Sequence, residues 1–211
     1  MRVCEIYKGI LGEGGLAGFT AAIVRCSGCN LRCRWCDTKY AYEGGQEIGL
    51  ERIMERIEGF NTRFVLLTGG EPLMQEEAYE LARLILSKGY GLVVETNGSF
   101  DISPLPENSV RIVDIKPPGS GMEAAMRWEN INELRIHDEV KFVIMDKADY
   151  LWAREITIKH RLLDRVSSVF FSPAYPYLDA RELAEWIIAD TLPIRLNLQL
   201  HRLIWGEKRG V

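Results

Sequence analysis

Short apolar, β-branched runs alternate with stretches of helical period, and that alternation leaves this chain few folds to choose from. The runs are TAAIVRC (20–26), RFVLLTG (63–69), YGLVVET (90–96), VRIVDIK (110–116), VKFVIM (140–145), SVFFSP (168–173) and IRLNLQL (194–200). They read as strands buried mostly on both faces. Helical period is clearest in 75–88, where Ala78, Leu81, Ala82 and Ile85 fall at i, i+3, i+4 and i+7. Residues 50–58, 147–163 and 179–189 also read as helices. Strand, helix and strand in succession imply βαβ units, a parallel sheet and right-handed crossovers. A closed eightfold barrel takes about 250 residues. With 211 residues the expectation is an α/β fold of the incomplete (βα)6 type, a partial TIM barrel, forming a single domain over 1–211.

Composition mainly excludes. Hydrophobic residues at 47% and charged residues at 27% fit a soluble globular protein and argue against a disordered or fibrous one. No apolar stretch reaches the length of a signal sequence or a membrane span, so a cytoplasmic protein with no membrane partner is expected. A net charge of −4 gives no electrostatic footprint for nucleic acid. Five cysteines, three of them inside CNLRCRWC (29–36), point to metal binding or catalysis in a reducing compartment rather than to a disulfide framework.

The polar, Gly-rich motifs follow the strands. CNLRCRWCDT comes after 20–26, TGGEP ends the next strand, then ETNG, DIKPPGSG and SPAY follow their own strands. Parallel α/β folds place their active sites on that C-terminal rim. The spacing C-x3-C-x2-C of Cys29, Cys33 and Cys36 suits an iron–sulfur cluster with one iron left open, since a 4Fe-4S cube takes four ligands when saturated. Two other readings stand beside it. A zinc site could recruit Cys26, although paired zinc knuckles are spaced more widely. Redox chemistry could use Cys33 and Cys36 alone, leaving Cys29 unexplained. Strand alternation sets Arg25 and Cys26 on opposite faces; with Arg25 inward, Cys26 packs outward as a buried thiol.

The C-x3-C-x2-C loop with an aromatic before its last cysteine, together with TGGEP at 68–72, resembles the radical S-adenosylmethionine superfamily. Within it, EIYKGILGEGGLAGFTAAIVRCSGCNLRCRWCDTKYA (5–41) and RLNLQLHRLIWGEKRGV (195–211) resemble the two ends of the 7-carboxy-7-deazaguanine synthase family. Leu11 departs from it, standing where many relatives have Gln. The resemblance implies ring contraction of 6-carboxy-5,6,7,8-tetrahydropterin to 7-carboxy-7-deazaguanine with loss of ammonia, on the route to queuosine. The implied cofactors are a 4Fe-4S cluster, S-adenosylmethionine and Mg2+. The implied partners are the small pterin, a reductant such as flavodoxin or ferredoxin, and a second copy of the chain.

By the same resemblance, Cys29, Cys33 and Cys36 ligate the cluster and Thr38 contributes to the magnesium site, although Thr38 also suits a helix N-cap. Trp35, Asp37, Gly70, Glu71, Glu95, Lys116 and Ser172 are expected at S-adenosylmethionine. Gly70 and Glu71 fall at its methionine end, with Glu95 and Asn97 towards its ribose. Ile10, Leu11, Gly12, Glu13, Arg25, Thr68 and Val211 are expected at the substrate. Arg25 matches a carboxylate through its planar fork, or else serves a structural ion pair; His201 and the tail could close over the site. A glycyl-radical activase would share the cysteines and TGGEP without needing Arg25 or Thr38. A non-catalytic zinc module would need neither.

Overall fold

A computed structural model describes residues 1–210. β2 (Thr20–Cys26), β4 (Phe64–Gly69), β5 (Gly91–Thr96), β6 (Val110–Asp114), β7 (Glu139–Ile144), β8 (Ser168–Pro173) and β9 (Arg195–Leu196) run parallel in sequence order. Helices α1 (Leu50–Gly59), α2 (Glu77–Ser87), α3 (Lys147–Lys159) and α4 (Ala180–Asp190) connect several of them, and α5 (Leu200–Trp205) follows β9. The sheet stays open, as a partial barrel does: β3 (Gln46–Glu47) and β9 are its two edges.

Strand alternation divides the apolar residues into two clusters. Ala22, Val24 and Cys26 of β2 join Val65, Leu67, Val94 and the helix residues Ile53, Leu81 and Ile85 in the larger core outside the barrel. Ala21 and Ile23 point inward, where Leu11, Leu66, Val93 and Ile112 fill the barrel floor. One layer nearer the rim, the inward positions turn polar: Arg25, Thr68, Glu95, Asp114, Lys141 and Ser172 all line one cavity. The change from apolar to polar along each strand separates a part that stabilises from a part that binds.

Two elements differ from expectation. β1 (Arg2–Ile10) pairs antiparallel with β2, from Val3 opposite Cys26 to Ile10 opposite Thr20. Most of its residues are half-buried, so RVCEIYKGI has neither a long apolar run nor clean alternation to announce a strand. The strand expected over 194–200 is reduced to Arg195–Leu196. Asn197 makes one more ladder bond, to Phe171 O at 2.9 Å, and its side chain then binds Ser172 Oγ (2.9 Å) and Gly14 N (3.1 Å). With Leu200 N on Gly12 O at 3.0 Å, those bonds bridge the open side of the barrel.

Candidate active site

The cavity on the C-terminal rim is about 670 Å³. Its mouth is built by the loop after β2, which is bound along its start to the loop after β4: Gly70 N donates to Cys26 O (3.1 Å) and Glu71 N to Gly28 O (2.8 Å). A Cβ on Gly70 would lie 2.1 Å from Gly28 O and 2.9 Å from Cys29 Cβ, so only glycine lets these two loops approach. Cys29, Cys33 and Cys36 are free, partly exposed thiols lining the cavity. Burial pushes the Cys29 and Cys33 thiols up, and the neighbouring thiols add to the rise. Among the described residues no three His, Cys, Asp or Glu side chains converge as one ion requires. Cys26 is fully buried in the outer core.

Arg25 makes the ion pair that one reading of its position expects. Its Nε donates to Glu5 Oε1 (2.7 Å) and its Nη2 to Tyr7 OH (3.2 Å), while Tyr40 OH also donates to Glu5 Oε1 (2.9 Å). Nη1 makes no hydrogen bond with the described residues, so the ion pair orients a fork whose outer donor remains available to the cavity. Deeper in, Lys141 Nζ lies 2.6 Å from Glu13 Oε2 and 3.5 Å from Asp114 Oδ2, and Lys116 Nζ lies 2.8 Å from Asp114 Oδ2. Burial works to lower both lysines, but the carboxylates outweigh it and both are held above the usual value; Cys33 adds to the effect at Lys116.

A Radical SAM superfamily model matches residues 23–114. The chain is 40% identical to the 7-carboxy-7-deazaguanine synthase of Koribacter versatilis, covering 100% of both chains. It is 38% identical to the synthase of Chlorobaculum tepidum, covering 100% of this chain and 97% of that one. The chain belongs to the 7-carboxy-7-deazaguanine synthase family of radical SAM proteins. In fold it matches the crystal structure of QueE from Escherichia coli with a TM-score of 0.71 at 23% identity, covering 94% and 93% of the two chains.

Members of this superfamily carry a 4Fe-4S cluster and S-adenosylmethionine, and the donor set fits: three thiols at cluster spacing on a loop held by a glycine cradle. Trp35, Asp37, Thr38, Gly70, Glu95, Lys116 and Ser172 line the same cavity, as do Ile10, Gly12, Glu13, Arg25 and Thr68. Thr38 makes no side-chain cap; its hydroxyl donates instead to Asp37 Oδ1 (2.8 Å), and Gln199 Nε2 takes Asp37 Oδ2 (3.0 Å). His201 packs against Gly12, where a Cβ would come within 2.2 Å of its ring. Val211 lies outside the described residues.

Two of the expected residues do not line the cavity. Glu71 does not face the cavity: it is fully buried, with Oε1 accepting from Leu73 N and Thr96 Oγ1 and Oε2 from Asn97 N. Its carboxylate ties the β4 loop to β5, which leaves Gly69 and Gly70 as the part of GGE that lines the cavity. Leu11 is buried in the barrel floor, and its backbone N–H and C=O are bound to Phe19 O and Gly18 N. Glu5, Tyr7, Tyr40, Asp114 and Lys141 were not anticipated. Lys141 inside the apolar run VKFVIM was the readable signal, because a lysine on a strand buried on both faces needs a carboxylate partner.

Proposed function

We propose that this protein is a 7-carboxy-7-deazaguanine synthase, converting 6-carboxy-5,6,7,8-tetrahydropterin to 7-carboxy-7-deazaguanine with release of ammonia. The observation that carries the reading is the single cavity lined by both the three-cysteine loop and the polar layer Arg25, Thr68 and Glu95. Cluster and cofactor, when bound, supply a carbon radical that takes a hydrogen atom from the substrate ring. The chain's own task is to hold, orient and shield. Cys29, Cys33 and Cys36 hold the cluster, while Gly70 admits the methionine end of S-adenosylmethionine. Trp35, Asp37, Lys116 and Ser172 form the rest of its wall. Arg25 presents Nη1 to the substrate carboxylate, with Thr68, Ile10, Gly12 and Glu13 around the ring.

Thr38 supplies a hydroxyl oxygen to Mg2+. Because that hydroxyl donates its proton to Asp37, its lone pairs remain for a hard cation that otherwise keeps water and substrate oxygens. A flavodoxin- or ferredoxin-like carrier delivers the electron. No described helix is long and apolar enough to cross a membrane, and the free cysteines suit a reducing compartment. The chain acts as one domain, supported by a single sheet, and as a homodimer, supported by exposed Ile188, Leu203 and Ile204 on α4 and α5.

The test is anaerobic: reconstitute the cluster, then supply dithionite, S-adenosylmethionine, Mg2+ and the pterin, and follow product by mass. Expected is 7-carboxy-7-deazaguanine that depends on every component. Formation of 5′-deoxyadenosine without that product overturns the substrate, and formation of neither with an intact cluster overturns the radical reading.

A further inference from the structure

The segment GEGG (12–15) brings Gly12 and Glu13 to the cavity, yet its glycines give the backbone little order of its own. Each of its four residues is held from the second half of the chain. Gly12 O accepts from Leu200 N (3.0 Å), Glu13 Oε2 pairs with Lys141 Nζ (2.6 Å) and Gly14 N donates to Asn197 Oδ1 (3.1 Å). Gly15 N donates to both carboxylate oxygens of Glu139, each at 3.0 Å. Glu139 and Lys141 stand two residues apart on β7 and so face the same way. One strand therefore grips the segment at two points.

Glu139 itself is buried and does not line the cavity. Among the described residues only Gly15 N donates to its carboxylate, and no cation pairs with it. Arg195, whose charge acts on it, instead donates to Ser168 Oγ and stacks over Phe170. Burial accordingly pushes the Glu139 carboxyl up. The fit to the segment is close: a Cβ on Gly15 would lie 2.3 Å from Glu139 Oε1, and one on Gly14 would lie 2.7 Å from Oε2 and from Ile112 Cδ1. A buried carboxylate without a cation costs stability, so packing alone gives no reason for one here. We infer that Glu139 is a positioning residue: through Gly15 it fixes the segment that carries Gly12 and Glu13, and so sets where they meet the substrate ring. This rests on the proposed function, which puts both residues at that ring.

The test compares Glu139→Ala with Glu139→Gln in reconstituted enzyme, since Gln keeps an acceptor for Gly15 N and Ala keeps none. Hydrogen exchange of the peptide over 10–19, read by mass spectrometry without turnover, should quicken about tenfold or more in Glu139→Ala and stay within about twofold of wild type in Glu139→Gln. Turnover should follow the same order. Glu139→Ala should raise KM for the pterin about tenfold or more and raise the ratio of 5′-deoxyadenosine to product, because a shift of about 1 Å at the ring suffices. Its iron content and S-adenosylmethionine Kd should match wild type, and Glu139→Gln should recover most of the lost affinity for the pterin. Wild-type exchange or a wild-type KM in Glu139→Ala overturns the inference, as does a Glu139→Gln enzyme no better than Glu139→Ala. Loss of cluster and cofactor affinity together with substrate affinity makes Glu139 a folding residue and overturns it too. A wild-type enzyme that neither binds nor converts the pterin overturns the proposed function itself, a failure visible before any variant is made.

Discussion

Gly70→Ala probes the loop cradle on which the cluster site depends. The added methyl would sit 2.1 Å from Gly28 O, while ordinary contact begins near 3.4 Å, so that carbonyl must retreat by about 1.3 Å. Gly28 O is the acceptor for Glu71 N at 2.8 Å, and Gly28 N is itself bound to Ala41 O at 2.8 Å. Retreat therefore breaks or strains bonds on both sides of the peptide next to Cys29. A lost buried hydrogen bond costs about 1–3 kcal/mol, and overpacking adds about 1–3 kcal/mol. For a chain of this size the sum corresponds to a fall in Tm of roughly 5–15 °C. Displacing Cys29 by about 1 Å also costs on the order of a hundredfold in rate. The assays are differential scanning calorimetry of the reconstituted protein, iron and sulfide content, and S-adenosylmethionine affinity. Unchanged Tm with full cluster content and undiminished affinity would refute the reasoning that glycine is needed for loop approach.

Replacing Cys29, Cys33 or Cys36 by Ala should each abolish S-adenosylmethionine cleavage, measured as 5′-deoxyadenosine; any variant with wild-type cleavage is not a ligand mutant. Arg25→Lys should lower kcat/KM for the pterin about 10–100-fold while uncoupled cofactor cleavage continues, because an ammonium cannot serve Glu5, Tyr7 and a substrate carboxylate together; parallel loss of both activities would mean a folding role. In Thr38→Ala the Mg2+ concentration giving half-maximal turnover should rise, and an unchanged titration rejects the metal role. Glu71 supplies a pH test: burial lifts its carboxyl from the usual 4.5 to about 7, despite the bonds from Asn97, Leu73 and Thr96. The folded state then holds one proton more than the unfolded state between those values. Its contribution to stability is full below about 4.5 and is lost as pH rises through about 7, by roughly 3 kcal/mol at most. Urea unfolding at pH 5 and pH 8 should show that slope in the wild type and a flatter one in Glu71→Gln; equal slopes dispose of the buried-carboxyl account.

The sequence by itself determined the parallel architecture and the position of the chemistry along the chain. Apolar runs at strand length, separated by helix-period segments, can bury both sheet faces only in a βαβ arrangement. The three cysteines lie within one loop, so their proximity needs no tertiary contact. Only the tertiary structure decided which side chains face the cavity. Glu71 follows two glycines past the end of β4 and Glu95 follows an apolar run within β5, yet neither setting tells which carboxylate meets the cavity. Thr96 and Asn97, some 25 residues downstream, take up the first, while Thr68 holds the second against the cavity wall. Leu11 and Lys141 exchange expectations for the same reason: the leucine fills the barrel floor, and the lysine is stabilised inside by Glu13, 128 residues away. β1 was illegible because a half-exposed antiparallel strand needs no strong apolar signature when β2 supplies its partner. Local spacing specifies what is covalently near, whereas the direction of a polar side chain on a barrel rim is set by partners that only folding brings within hydrogen-bonding distance.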